Sequence, residues 1–147
     1  MVNLLKFNKF NPVFLAILIS LTNWEMVKAE IATQKIQLTQ ANQIIQGQSG
    51  GLVDSKGCGF IASSPNYEMN LEQRIDYLRL TVQTTGGQPT LLVLGPRGGD
   101  SFCVLGDELS GLKPEISGVW EAGSYQIYVG DRLGSTHPFI LNVSHDN

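Results

Sequence analysis

The sequence predicts an all-β fold, a β-sandwich or small barrel in one domain. Two observations carry this. From residue 50 onward, short runs rich in β-branched and aromatic residues alternate with clusters of Gly, Pro, Asn, Asp and Ser. Over the same stretch no segment sustains a 3.6-residue apolar period.

The strands are read in order. Residues 59–63 form a short strand candidate and 75–84 (IDYLRLTVQT) a longer one. In the longer run Leu78, Leu80 and Val82 share one face, while Arg79, Thr81 and Gln83 take the other. Ile75 and Tyr77 are out of phase with that alternation, which predicts a bulge or a second buried surface. Residues 90–94 (TLLVL) are apolar on both faces and predict a central strand. That strand stops at Gly95-Pro96, and the turn residues Gly98-Gly99-Asp100 follow. Residues 102–105 come next and carry Cys103. Residues 125–130 alternate with Tyr125, Ile127 and Val129 inward, and 139–144 with Phe139, Leu141 and Val143 inward.

The expected domain plan is a signal peptide over 1–29, a polar Gln-rich linker or tail over 30–48 and the β-sandwich over 49–147. Lys6 and Lys9 supply a basic start, residues 12–21 (PVFLAILISL) an apolar run, and Val27-Lys28-Ala29 a small-residue cleavage site. The apolar run falls short of the roughly 20 residues that a spanning helix needs. Glutamine recurs every third residue from Gln34 to Gln46, and a first strand is conceivable at 43–48. Loss of residues 1–29 removes Lys6, Lys9, Lys28 and Glu25, leaving 7 basic and 12 acidic residues, a formal charge of −5. That balance argues against nucleic acid, whose affinity comes largely from Lys and Arg on phosphates. It argues equally against an anionic membrane surface once the signal is cleaved. Cys58 and Cys103, an even pair in an exported chain, are expected to form a disulfide across 45 residues. Two isolated cysteines are too few ligands for zinc.

The run Asp76-Tyr77-Leu78-Arg79-Leu80-Thr81-Val82 resembles a strand of bacterial pre-peptidase C-terminal domains. Residues 90–98 (TLLVLGPRG) are similar to their next strand and its tip, and residues 120–129 (WEAGSYQIYV) to their A-G-x-Y hairpin. Residues 139–144 would be the closing strand. The resemblance covers roughly residues 70–145. It implies a jelly-roll-like antiparallel sandwich, here expected to stand alone. It also implies a non-catalytic accessory module for binding or secretion, in some cases with calcium. The Gly57-Cys58-Gly59 and Phe102-Cys103 segments fall outside the family's general pattern.

Three constellations bear on chemistry. Residues 47–51 (GQSGG) fit G-x-S-x-G, the pattern of a nucleophilic serine. A hydrolase at Ser49 would need His137 or His145 as base and a carboxylate to orient it. No histidine precedes Ser49, and the strand and helix that should flank it are missing from the pattern. His137 and His145 are read as solvent-exposed. Asp100, Asp107, Glu108 and Asp131 fall in predicted loops; of these, Asp100, Asp107 and Asp131 are the candidate calcium ligands, although no D-x-D-x-D-G run is present. Tyr67 and Tyr128 are the aromatic side chains that a sugar-binding surface could use, but Tyr128 is read first as packing against a neighbouring sheet or strand. Trp120 is assigned to the core, and Asn142-Val143-Ser144 is a glycosylation sequon in form, placed within a strand.

The expectation for function is an exported, non-catalytic binding or accessory module. It would be secreted or periplasmic, with an extracytoplasmic protein or polysaccharide as partner and no catalytic residue. A secreted hydrolase using Ser49 and a self-assembling structural envelope protein are the alternatives.

Overall fold

The structure, a computed structural model, describes the backbone at residues 34–36 and the chain from 42 to 145. The expected leader, its cleavage site and most of the segment 30–41 lie outside the described residues. The described chain belongs to one compact unit, 31–147.

Eleven strands follow one another, with no helix among the described residues: β1 (Gln34–Ile36), β2 (Asn42–Gln48), β3 (Val53–Asp54), β4 (Phe60–Ile61), β5 (Tyr67–Leu71), β6 (Ile75–Thr84), β7 (Pro89–Leu94), β8 (Ser101–Leu105), β9 (Glu115–Trp120), β10 (Gly123–Asp131) and β11 (Pro138–Ser144). One sheet has four antiparallel strands in the order β2-β11-β6-β9. The other has seven and is built on β10. Along one edge β10 pairs with β7, and β8 lies beyond it. Along its other edge the first half of β10 pairs with β5, and its last residue, Asp131, meets Phe60 of β4. β3 extends β4, and β1 runs parallel to β5. The result is the all-β sandwich that the sequence predicts.

Alternation along each strand places the core between the sheets. Leu78, Leu80 and Val82 of β6 and Phe139, Leu141 and Val143 of β11 face Leu91 and Val93 of β7, Tyr125, Ile127 and Val129 of β10, and Tyr67, Met69 and Leu71 of β5. Burying each such side chain removes apolar surface from water, worth roughly 1.5–3 kcal/mol apiece. The polar atoms on buried aromatics find carbonyls. Trp120 Nε1 donates to Leu78 O at 3.0 Å, Tyr125 OH to Glu121 O at 2.9 Å, and Tyr67 OH to Gln46 O. The phase change at Ile75 and Tyr77 is a register shift between β6 and β9.

The structure decides three of the sequence readings. The first strand read at 43–48 is present as β2, which pairs along its whole length with β11, so this end of the segment 30–48 belongs to the sandwich and not to a linker. Its glutamines give it a linker's composition, but the strand alternates: Ile44, Gln46 and Gln48 face solvent, Gln43 and Ile45 are half-buried, and Ile45 packs on the core. Tyr67, read as an exposed loop aromatic, is buried on β5 against Phe139, with ring centroids 6.1 Å apart. The strand YEMNL alternates as a strand should, but the Pro65-Asn66 turn signal just before it masks the pattern. Tyr128, on the outer face of the seven-stranded sheet, is buried beneath the β3–β4 segment with Cys58, Ile61 and Leu92.

That outer layer explains why β7 is apolar on both faces. Leu91 and Val93 point into the sandwich, while Leu92 is covered from outside by a flap spanning residues 51–61. Cys58 and Cys103 are joined, fastening the flap to β8 opposite Leu92. Thr90 Oγ1 donates to Cys58 O at 2.7 Å on the same side.

Two outcomes are expected. A cross-link separated by 45 residues limits the unfolded ensemble by about 4 kcal/mol in the chain-entropy model. The Cys58→Ser/Cys103→Ser protein is therefore expected to unfold at markedly lower urea than the wild type, and equal midpoints would show that the flap is held without the bond. Burial pushes the Tyr67 phenol up to about 12, above its ordinary value of 10.0. The stabilisation tied to the neutral phenol is complete below about pH 10 and is lost as pH rises toward about 12. Alkaline unfolding followed by circular dichroism is expected to begin in that window and to move to higher pH in Tyr67→Phe. An unchanged onset would assign it to other groups.

Candidate functional site

The polar residues of interest gather at one end of the sandwich, where β2, β6, β8 and β10 end and β7, β9 and β11 begin. Asp131 closes β10. Its side chain is 1% exposed, so its charge must be met from within. Oδ1 accepts the amides of Leu133 (2.8 Å) and Ser135 (3.0 Å), which folds the chain into a tight turn. Oδ2 accepts the amide of Gln88 at 2.7 Å, fixing the β6–β7 loop, and Arg132 N returns a bond to Gln88 O at 2.9 Å. Gly87 (φ +77°) lets that loop come close: a Cβ there would stand 2.5 Å from Asp131 Oδ2 and 2.6 Å from the His137 ring.

Ser49 lies beside this node, also 1% exposed. Its Oγ accepts the backbone amide of His137 at 3.2 Å, and its own amide donates to His137 O at 2.9 Å. Gly50 follows with φ +74° and an amide bonded to Val129 O. The G-x-S-x-G segment is thus the crossing from one sheet to the other, with a glycine where left-handed backbone is required. Asn66 completes the seam: Oδ1 accepts Val129 N at 2.7 Å, and Nδ2 donates to Gln48 O at 3.1 Å.

The structure therefore brings Ser49, Asp131 and His137 together, but as scaffold. The His137 ring packs over Gly86 and Gly87, half-buried rather than exposed, and the hydroxyl and carboxylate that a triad would use are bonded to main-chain amides. His145 follows the far end of β11, seven strand residues away, roughly 23 Å.

The three candidate calcium ligands are not assembled. Asp100 precedes β8 and Asp107 follows it, so five strand residues, roughly 17 Å, separate the two ends. Asp107 Oδ1 accepts the Ser110 amide at 2.6 Å, which shapes its own turn and holds its carboxyl below the usual carboxylate range. Asp131 is saturated by amides. The donor set does not fit a shared cation, and among the described residues no three His, Cys, Asp or Glu side chains are grouped to hold one.

This architecture is that of a pre-peptidase C-terminal domain. The chain superposes on that domain of the collagenase from Bacillus anthracis with a TM-score of 0.54 at 16% identity, over 76% of this chain and 94% of the other. It also aligns with PliG of Aeromonas hydrophila, a periplasmic inhibitor of g-type lysozyme, with a TM-score of 0.46 at 17% identity over 76% and 94% of the two chains. The chain belongs to the family of the uncharacterised protein Synpcc7942_2126 of Synechococcus elongatus, to which it is 41% identical over 74% of its own length and 81% of the relative's. No protein-family model matches it.

Replacing Asp131 tests the node. In Asp131→Asn one acceptor becomes an NH₂ group, set against the Gln88 amide or against the pair from Leu133 and Ser135. The loss is expected to be about 1–3 kcal/mol in urea denaturation, the cost of leaving a buried donor unpaired. A stability equal to wild type would mean that the three amide bonds contribute nothing net.

Proposed function

We propose that this protein is an exported, non-catalytic binding module that works in the periplasm or outside the cell. One observation carries the reading. The groups suited to chemistry, Ser49 and Asp131, are turned inward onto backbone amides, while the loops around them turn leucines outward. A nucleophile must be reachable by substrate and by a base; a docking surface needs apolar side chains that water alone covers. The leader-like start of the sequence and the Cys58–Cys103 bond support an oxidising, extracytoplasmic setting. The pre-peptidase C-terminal resemblance implies the same kind of accessory role. In this reading the partner is an extracytoplasmic protein or polysaccharide.

The hydrolase alternative separates cleanly by experiment. Treatment of the native protein with a fluorophosphonate is expected to leave Ser49 unmodified, and Ser49→Ala is expected to cost about 1 kcal/mol of stability through the orphaned His137 amide. Labelling that disappears in Ser49→Ala would replace this reading with a serine hydrolase.

A further inference from the structure

The outer face of the four-stranded sheet carries a trough of about 620 Å³. Its floor is β11, where Pro138 and Ile140 (40% exposed) point away from the core. Gln46 and Gln48 of β2 form one wall, and Gln83 of β6 with Thr85 just beyond that strand forms the other. Register sets the rows: Ile140 lies between Gln46 and Gln83, and Pro138 beside Gln48. The same register carries the floor on to Asn142, between Ile44 and Thr81, roughly 14 Å from Pro138.

The walls are fixed in place. β2 is an edge strand, yet two of its carbonyls are tied towards β5: Gln46 O accepts Tyr67 OH, and Gln48 O accepts Asn66 Nδ2 at 3.1 Å. Thr85 N donates to Pro138 O at 3.1 Å, which extends the β6–β11 ladder beyond Thr84. The side-chain amides of Gln46, Gln48 and Gln83 make no hydrogen bond to another described residue. Free amides on a backbone already held lower the ordering cost of binding.

The chemistry of this lining selects its ligand. None of the residues that line the trough is charged, although residues 30–147 carry 7 basic and 12 acidic side chains. An edge strand that faces only water is ordinarily guarded by charge, and β2 presents amides instead. A primary amide both donates and accepts hydrogen bonds, as a sugar hydroxyl does. Pro138 and Ile140 offer an apolar floor to the C–H face of a sugar ring. Polyanions and polycations find no counter-charge here. An extended peptide adds to a sheet edge through its main chain, but β11 is paired on both sides and has no edge to offer. Tyr67 and Tyr128, the aromatics that the sequence offered to a sugar, are both buried, so the trough is a different surface.

We infer that this trough is a binding site for a neutral polysaccharide, with Gln46, Gln48 and Gln83 bonding its hydroxyls and Ile140 lying against its ring faces. The inference rests on the binding-module reading and narrows the partner to one class; the two fail separately, because fluorophosphonate labelling is blind to this trough. Native electrophoresis of the protein in gels cast with dextran, mannan, xylan or mixed-linkage β-glucan is the test. Retardation is expected in at least one of the four gels and not in a gel cast with dextran sulfate. Gln46→Ala and Gln83→Ala are each expected to weaken that affinity roughly threefold to tenfold, the loss of about one hydrogen bond. Their urea midpoints are expected to match the wild type, since both side chains stand in solvent. Retardation undiminished in Gln46→Ala/Gln83→Ala would put the sugar elsewhere and overturn the inference. Unhindered migration in all four gels overturns it as well, and leaves the binding-module reading to a protein partner.

Discussion

A single buried carboxylate organises the end of this sandwich. β10 is the strand with most partners, and it must stop where the β6–β7 loop, the β10–β11 turn and the β2–β3 crossing converge. Asp131 stops it by accepting three amides from two of these segments. Such bonds are charge-assisted, and removing the acceptor leaves three part-buried amides without their partner. The approach of the chains is correspondingly tight. Gly50, Gly59 and Gly87 all sit at positive φ against Asp131 or its neighbours, where a side chain would meet backbone or carboxylate. The acid and the glycines form one device, so a change in either is felt by both.

The second organising element lies on the other side of the same sheet. A lone sandwich face carrying Leu92 and Tyr128 would expose apolar surface, and the flap spanning residues 51–61 covers it. β3 and β4 are two residues each, too short to hold the flap by pairing alone. The Cys58–Cys103 bond and the Thr90–Cys58 hydrogen bond take over that task. The cysteines therefore answer to a packing problem on the outer face of this sheet.

Much of the fold was legible because strand alternation is a local signal. Leu78, Leu80 and Val82 declare their face, and so do Phe139, Leu141 and Val143; even the misfit of Ile75 and Tyr77 announced a register shift. β2 and β5 were obscured by composition: glutamines suggested a tail, and Pro65-Asn66 suggested a loop. The site was less legible for a physical reason. Whether an aspartate binds a cation, orients a base or caps a turn depends on what lies within 3 Å, and Gln88, Leu133 and Ser135 supply Asp131 with amides at that distance. Gln88 is 43 residues away in the chain, a separation that no spacing rule anticipates. Ser49 shows the same thing: its motif was visible in the sequence, but its partner is the amide of His137, 88 residues on.

The loops at this end hold two demands in one structure. Polar side chains that could have served a reaction are spent on rigidity, and that rigidity is what allows leucines to stand in water without collapsing onto the domain. A flexible loop carrying Leu109 or Leu133 would fold its apolar tip back against the nearest hydrophobic surface. Fixed by Asp107, Ser110 and Asp131, the tips stay outward. Exposed leucines on ordered loops are costly for an isolated domain, because they invite indiscriminate association. The same end of the molecule thus carries a rigid polar frame beneath exposed leucines.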